Sequence, residues 1–395
     1  MAFVNASRNN RREGLPNDRT QGFLALRPDD FQDEYVWFLG DVHGDLLGFL
    51  TVLDFIKEKS EADGKDFKVV FMGDLVDDSH DMIHIVYEVV KRIMENDGQY
   101  CWLAGNHDEG TKYSETEEGI DFYAIVHPAG FADWIEDEEG NRELGKRVID
   151  LVKKIPRAIF FPKGFMASHA GFPHNDIVFD NFNELDDTST FTGERAMQDF
   201  VWARLKSGKV SIPNRSSKSH ELGARNFLGE DFKIGSTNIV SFSNRLHAAG
   251  LTEITGEKLG FLVRGHDHCD TQQARWNRYE SKKRNDWESR ALTINNMCFD
   301  ARNTSFFCDH FVRFPVTACW NSAPNESPFP QPFALDIPLN VVDAYAPRCS
   351  QNVHANNPLH KDDYVNRMDA EKCEGFFEDE DGKLKICNAE LSNHK

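Results

Sequence analysis

The chain has no surplus of positive charge: Lys and Arg total 45 against 65 Asp and Glu, a net charge of -20. General nucleic-acid binding needs a basic footprint for the phosphate backbone, so no nucleic-acid partner is expected, although a locally basic pocket is compatible with an acidic whole. Long apolar runs are also missing. Stretches such as Val69–Met72 and Leu259–Val263 fall far short of the roughly 20 residues that cross a bilayer. Residues Met1–Gln21 are polar and carry no apolar core of the kind a secretory signal has, so the expectation is a cytoplasmic protein with reduced thiols and no membrane association. None of the eight Cys forms a CxxC pair, which excludes a zinc ribbon and a thioredoxin-type site. Seven of them follow residue 268, where a disulfide stays open, and no internal repeat is visible. What the sequence does have is mass for a core. It has 395 residues, 40% hydrophobic and 28% charged, with 31 Phe against 7 Trp and 8 Tyr, enough for one large domain or two ordinary ones.

Regular alternation begins after a polar leader at 1–30. Tyr35–Leu39 reads as a buried strand, and Leu46, Phe49, Leu50, Leu53 and Ile56 recur at helical spacing. Lys68–Met72 is a second strand, Ile83, Val86, Val90 and Ile93 mark a second helix, and Tyr100–Leu103 is a third strand. Strand–helix–strand–helix–strand is the pattern of a mostly parallel sheet in an α/β protein. Residues 109–146 read as loops and short helices and Val148–Lys154 as helix. Arg157–Phe161 and Phe165–Ser168 read as strands, and Glu194–Lys206 and Asn238–Ala249 as helices. Leu259–Val263, Leu292–Ile294 and Phe307–Phe314 are further strands. Residues 315–347 hold seven of the 15 Pro, a density that rules out regular helix and predicts an extended segment laid over the body.

The chemistry lies at the strand ends. Three successive strands finish in Gly40-Asp41-Val42-His43-Gly44-Asp45, Gly73-Asp74-Leu75-Val76-Asp77-Asp78 and Gly105-Asn106-His107-Asp108. Two later ones finish in Ser168-His169-Ala170-Gly171 and Arg264-Gly265-His266. The carboxyl ends of parallel strands share one rim, where ligands bind. One Gly-Asp at a strand end is ordinary turn or cap chemistry; five strand ends mixing carboxylate, imidazole and amide are a ligand set. Nitrogen and oxygen donors without thiolate suit Mn, Fe or Zn better than Ca. Asp41, His43, Asp74, Asn106, His107, His169 and His266 exceed the need of one ion, whereas a pair of ions bridged by a carboxylate uses most of them.

The order GDVHGD, GDLVDD, GNHD, SHAG, RGHDH over residues 40–268 resembles the phosphoprotein phosphatase family of the calcineurin-like metallophosphoesterases. The stretch Phe242–Leu251 also resembles that family's helix before RGH. The resemblance implies a four-layer α/β/β/α sandwich with two metal ions at the sheet edges. It implies that Asp41, His43 and a bridging Asp74 hold one ion, and Asp74, Asn106, His169 and His266 the other. A hydroxide between the ions would attack phosphorus, and His107, oriented by Asp77, would protonate the leaving group. For phosphate itself the resemblance offers Arg204, in a Trp-x-Arg segment like that of bacterial-type enzymes, and Arg225, where eukaryotic-type enzymes have another Arg.

The sequence departs from the family pattern at Asp78, where relatives have a phosphate-binding Arg, at Asp108 in place of Glu, and at Ala170 in the HGG block. His268 reads as a turn residue beside Cys269. The expected organisation is a leader at 1–30, a catalytic domain at 31–314 and a Pro-rich, polar extension at 315–395. The expected activity is hydrolysis of phosphate monoesters, on Ser/Thr phosphoproteins or a small ester. The alternative is a nucleotide or dinucleotide polyphosphate, because GNHD and HAG also occur in bacterial diadenosine tetraphosphatases. A catalytically inactive binding module is a third reading, disfavoured by the intact ligand set.

Overall fold

The structure, a computed structural model, describes residues 22–77, 81–117, 119–137, 139–173, 194–206, 225–227, 237–267, 274–281, 286–296, 315–335, 376–378 and 384–386. Two sheets stack face to face at its centre. One is built on β2 (Tyr35–Leu39), β3 (Phe67–Phe71) and β4 (Tyr100–Trp102), which run parallel. It continues beyond β2 through the antiparallel β15 (Val316–Asn321) and β16 (Gln331–Ala334). The other has the order β1 (Phe23–Ala25), β7 (Ala158–Phe161), β8 (Phe165–Ser168), β12 (Phe261–Arg264), β14 (Asp286–Ile294), β13 (Ala274–Ser281).

The near-continuous apolar character of these strands follows from burial on both faces. Val36, Phe38, Val70 and Met72 face Phe161, Phe165, Val263 and Ile294 in the core between the sheets. The alternate residues Trp37, Leu39, Val69 and Phe71 join a second core with Phe49, Val52 and Ile56 of α1 (Leu46–Asp63) and Ile85 and Val89 of α2 (Met82–Glu95). On the far side Phe160, Met166 and Leu262 share that outer core with Phe200 of α5 (Glu194–Trp202) and Phe242 and Leu246 of α6 (Ile239–Ala248). Helix, sheet, sheet, helix is the four-layer α/β/β/α arrangement the resemblance implied. Helix α1 starts where the Asp45 carboxylate accepts from Gly48 N at 3.0 Å and stops at Gly64, which has φ 63°. The cap aligns the helix directly behind the first ligand loop.

Several sequence expectations need correction. The segment 109–146 is not only loops and short helices: it holds a hairpin, β5 (Thr111–Thr116) and β6 (Gly119–Ala124), then α3 (Gly130–Asp137) and the start of α4 (Glu139–Val152). The helix read over Val148–Lys154 is the end of that α4. The helix read over Glu194–Lys206 stops at Trp202, and its last residues form β9 (Arg204–Lys206). The strand at Leu292–Ile294 is longer and has an antiparallel partner, β13, that periodicity did not reveal. Near the expected boundaries at 30 and 314, β1 pairs in parallel with β7 and β15 pairs with β2. Phe307–Phe314 lies outside the described residues. Among the described residues no helix is long and apolar enough to cross a membrane.

Candidate active site

Three of the expected ligands, and Asp77 beside them, sit in strained turns. His43, Asp74, Asp77 and His266 have φ of 46°, 51°, 69° and 67°. The left-handed region costs a non-glycine residue about 1–2 kcal/mol, and such strain collects where function demands one backbone geometry. The loops are locked to each other. Val42 N and His43 N donate to Asp74 O at 3.0 and 2.8 Å, and Gly44 N to Leu75 O at 3.0 Å. Close approach explains two glycines: a Cβ at Gly105 would lie 2.1 Å from Asp74 N, and one at Gly265 1.9 Å from an Asp41 carboxylate oxygen.

The imidazoles are aimed from behind. His43 Nδ1 donates to Val76 O at 3.1 Å and His169 Nδ1 to Met72 O at 3.0 Å. A carbonyl can only accept, so both protons sit on Nδ1 and both Nε2 lone pairs face inward. Inward lies the Asp74 carboxylate, whose Oδ2 is 3.4 Å from His43 Nε2 and 3.2 Å from His169 Nε2. Asn106 Oδ1 is 2.9 Å from His169 Nε2 and 2.6 Å from His266 Nδ1. Asp74 Oδ2 is buried and accepts no hydrogen bond of good geometry among the described residues. Lone pairs of carboxylate, amide and imidazole thus converge with few protons to satisfy them, an arrangement that suits a bound cation. The sets His43, Asp74, His107 and Asp74, His169, His266 each present ligand atoms within 4.8 Å of one another, and they share Asp74. Burial disfavours charge on His169, yet the Asp74 and Asp41 carboxylates overcome it and raise its pKa. Burial likewise works against the Asp74 carboxylate, but His169, His107 and His43 hold its pKa below the usual carboxylate range. The nitrogen and oxygen donor set fits metal cations, and the two groups share Asp74.

Asp41 lies at the same rim, accepting from His266 N at 2.8 and 3.0 Å through its two oxygens, with Oδ1 3.7 Å from His169 Nδ1. His107 Nδ1 is 2.7 Å from Asp77 Oδ2, and the other Asp77 oxygen accepts from Phe131 N at 2.7 Å. Asp77 is buried, while the His107 side chain keeps 13% exposure. His107 N in turn donates to Asp74 Oδ1 at 2.8 Å.

Arg204 reaches this rim from β9, where its Nη1 donates to His266 O at 3.0 Å and to Asp267 Oδ1 at 2.7 Å. Arg225, on β10 (Arg225–Phe227), is the register partner of Arg204 in the parallel β9–β10 pair. Asp78 and His268 lie outside the described residues.

Three features escaped the sequence reading. Asp108 is buried and accepts from Asp74 N, Leu75 N and Gly105 N, each at 2.9 Å, and from Trp102 Nε1 at 3.3 Å. Burial first, then the charge of Asp74, push its pKa up to about 6 against the backbone donors. Arg264, fully buried, pairs with Asp267, which also takes Arg204. Burial raises the Asp267 pKa, but the two guanidinium groups outweigh it and hold the carboxyl below the usual range. Asn295 and Asn296, buried after β14, meet Asp41 through a parallel bridge and through Asn296 N to Asp41 O at 2.9 Å. The signal was present: Leu292–Ile294 is one more strand ending in polar residues at the same rim.

No curated protein matches the chain. Among solved structures it is similar to a serine/threonine phosphatase from Saccharomyces cerevisiae with similarity to human phosphatase PP5. The identity is 12%, 78% of this chain and 81% of that one are covered, and the TM-score is 0.45. A metallophosphoesterase from Sphaerobacter thermophilus is similar at 12% identity, over 84% of this chain and 98% of that one, with a TM-score of 0.38. The pattern of the calcineurin-like phosphoesterases matches residues 35–270, the span from the first ligand-bearing strand to just past His266. With that match over more than half its length, and with acceptors gathered around Asp74 at the strand ends, the chain belongs to the calcineurin-like phosphoesterases.

Proposed function

We propose that the chain hydrolyses phosphate monoesters, on phosphoproteins at Ser/Thr, with two cations held by Asp41, His43, Asp74, Asn106, His169 and His266. The observation that carries this reading is the proton-poor cluster around Asp74, beside which stands the His107–Asp77 pair. When bound, two cations supply charge for the phosphoryl oxygens and make water acidic enough to act as a nucleophile near neutral pH. The chain's own residues do the rest. Asp77, fixed by Phe131 N, keeps the proton of His107 on Nδ1 and stabilises the imidazolium. That leaves the Nε2 edge to give a proton to the departing oxygen. Arg204, with Arg225 as its register partner, supplies charge for a phosphate. Asp108 and Ala170 favour a second reading, a nucleotide polyphosphate, at the same site.

The test is metal content with a substrate panel. Asp74→Asn is expected to lower metal from near two ions per chain in elemental analysis and to abolish hydrolysis of para-nitrophenyl phosphate. Full metal and full rate in that variant would overturn the dinuclear reading. Phosphopeptides assayed beside diadenosine tetraphosphate decide the substrate class.

A further inference from the structure

The rim around His266 holds more charge than the chemistry above uses. Arg264, at the end of β12, is fully buried, and its Nε and Nη2 have no hydrogen-bond partner among the described residues. Its one described partner is Asp267, three residues on, whose Oδ2 takes Arg264 Nη1. The other oxygen of Asp267 takes Arg204 Nη1 at 2.7 Å. One carboxylate therefore joins a guanidinium that cannot move, enclosed in the core, to one with a side chain 31% exposed at the rim.

The geometry constrains Arg204 twice over. Nη1 is shared between Asp267 Oδ1 and the backbone carbonyl of His266, so the guanidinium is held against the residue that also belongs to the Asp74, His169, His266 group. Among the described residues both contacts run through Nη1, which leaves the Nε and Nη2 donors for an oxyanion. A long side chain left free must lose rotamer freedom when it grips a ligand; one held beforehand has already lost it. Asp267 also limits charge. Arg204 and Arg264 with Asp267 amount to one net positive charge, enough to favour an anion while giving the buried guanidinium the counterion it needs.

We propose that Asp267 is a positioning residue for phosphate binding: anchored by buried Arg264, it holds the Arg204 guanidinium at the metal rim. The proposal rests on the reading of Arg204 as a phosphate contact and goes beyond it by assigning Asp267 and Arg264 to one chain of contacts that sets substrate affinity.

The test is a double-mutant cycle on the full chain loaded with Mn, with para-nitrophenyl phosphate as substrate and inorganic phosphate as inhibitor. Asp267→Asn is expected to lower kcat/KM about tenfold or more, the scale of a hydrogen bond to a charged group. The loss should fall mainly in KM and weaken phosphate inhibition in parallel, with metal content unchanged. In an Arg204→Ala background the same change should have almost no further effect, because Asp267 acts through Arg204. Should Asp267→Asn fail to fold with Arg264 left unpaired, the double variant Arg264→Met with Asp267→Asn removes the buried charge together with its counterion, and the same KM effect is expected. Wild-type kinetics for Asp267→Asn beside a crippled Arg204→Ala would overturn the proposal alone. So would an equal effect in both backgrounds, or a loss of metal. A silent Arg204→Ala would overturn the phosphate reading of Arg204 and the proposal together, while leaving the Asp74→Asn test of the metal reading intact.

Discussion

Asp108 shows how one buried side chain can set the geometry of a whole site. Its carboxylate gathers backbone donors from Asp74, Leu75 and Gly105 and the Trp102 indole, tying the loop after β3 to the loop after β4. An amide at this place has one acceptor and one donor, so Asp108→Asn turns a donor toward donors. We expect the variant to lose about 1–3 kcal/mol in urea unfolding and to bind Mn more weakly in a competition titration, because Asp74 loses its backbone anchor. Unchanged Mn affinity would mean the loops hold themselves. A second prediction concerns His107, whose Nδ1 is occupied by Asp77. His107→Asn is expected to keep both metals and to lose about 10²–10⁴ in rate on an alkyl phosphate. The loss should be smaller on para-nitrophenyl phosphate, whose leaving group needs less protonation. Equal losses on the two substrates would remove His107 from acid catalysis.

At the scale of elements, the hairpin β5–β6 is held by side chains rather than by a sheet. Tyr113 of β5 donates to Asp150 of α4 at 2.8 Å, and Lys146 and Lys153 donate to the same carboxylate at 2.9 and 3.0 Å. Partial burial pushes the Asp150 pKa up, but Lys146, Tyr113 and Lys153 outweigh it and hold it below the usual carboxylate range. A depressed folded pKa means that the clamp is complete above the unfolded value of about 3.9. It is lost as pH falls through the folded value. Asp150→Asn should therefore speed amide exchange over residues 111–117 and 119–124 at pH 7, and its difference from wild type should shrink as pH drops from 5 to 3. A constant difference would show that the Lys and Tyr contacts are not charge-dependent.

This hairpin also marks the limit of legibility. Strands β2 and β3 were readable because both faces are buried and the residues run apolar without interruption, and the candidate site because polar residues, most of them next to glycine, follow the strands. Thr111–Thr116 alternates toward solvent with Lys, Ser and Glu, so its pairing is fixed by a partner across a turn and by Asp150 some 37 residues away. Arg204 was readable as a residue but not as part of a strand, because β9 exists only through pairing with β10. Asp108 and Asp267 stood in the quoted motifs, yet their roles depend on donors from other loops that no spacing reveals.

At the scale of the molecule, the decisive element is β15, part of the Pro-rich segment expected to lie extended over the body. It pairs with all of β2, from Thr317–Leu39 to Asn321–Tyr35, and Thr317 Oγ1 donates to Phe38 O at 2.9 Å. Trp320 carries the inter-sheet core on this flank, with ring centroids 5.0 Å from Phe31, 5.1 Å from Phe165 and 6.0 Å from Phe161. Phe161 and Phe165 come from the opposite sheet, so this one side chain helps to hold the two sheets together. Because β2 ends in the loop of Asp41 and His43, loosening its flank is transmitted to the metal rim. Trp320→Ala is expected to cost about 3–5 kcal/mol in urea unfolding, the range for removing a buried Trp from a core, and Trp320→Phe to recover part of it. A chain ending at residue 314 would expose the edge of β2 and the apolar face beneath Trp320, and should fail to give a cooperative thermal transition or to retain metal. If that shortened chain instead melts cooperatively and keeps two ions, the sheet closes without β15, and the catalytic unit ends where the sequence motifs do.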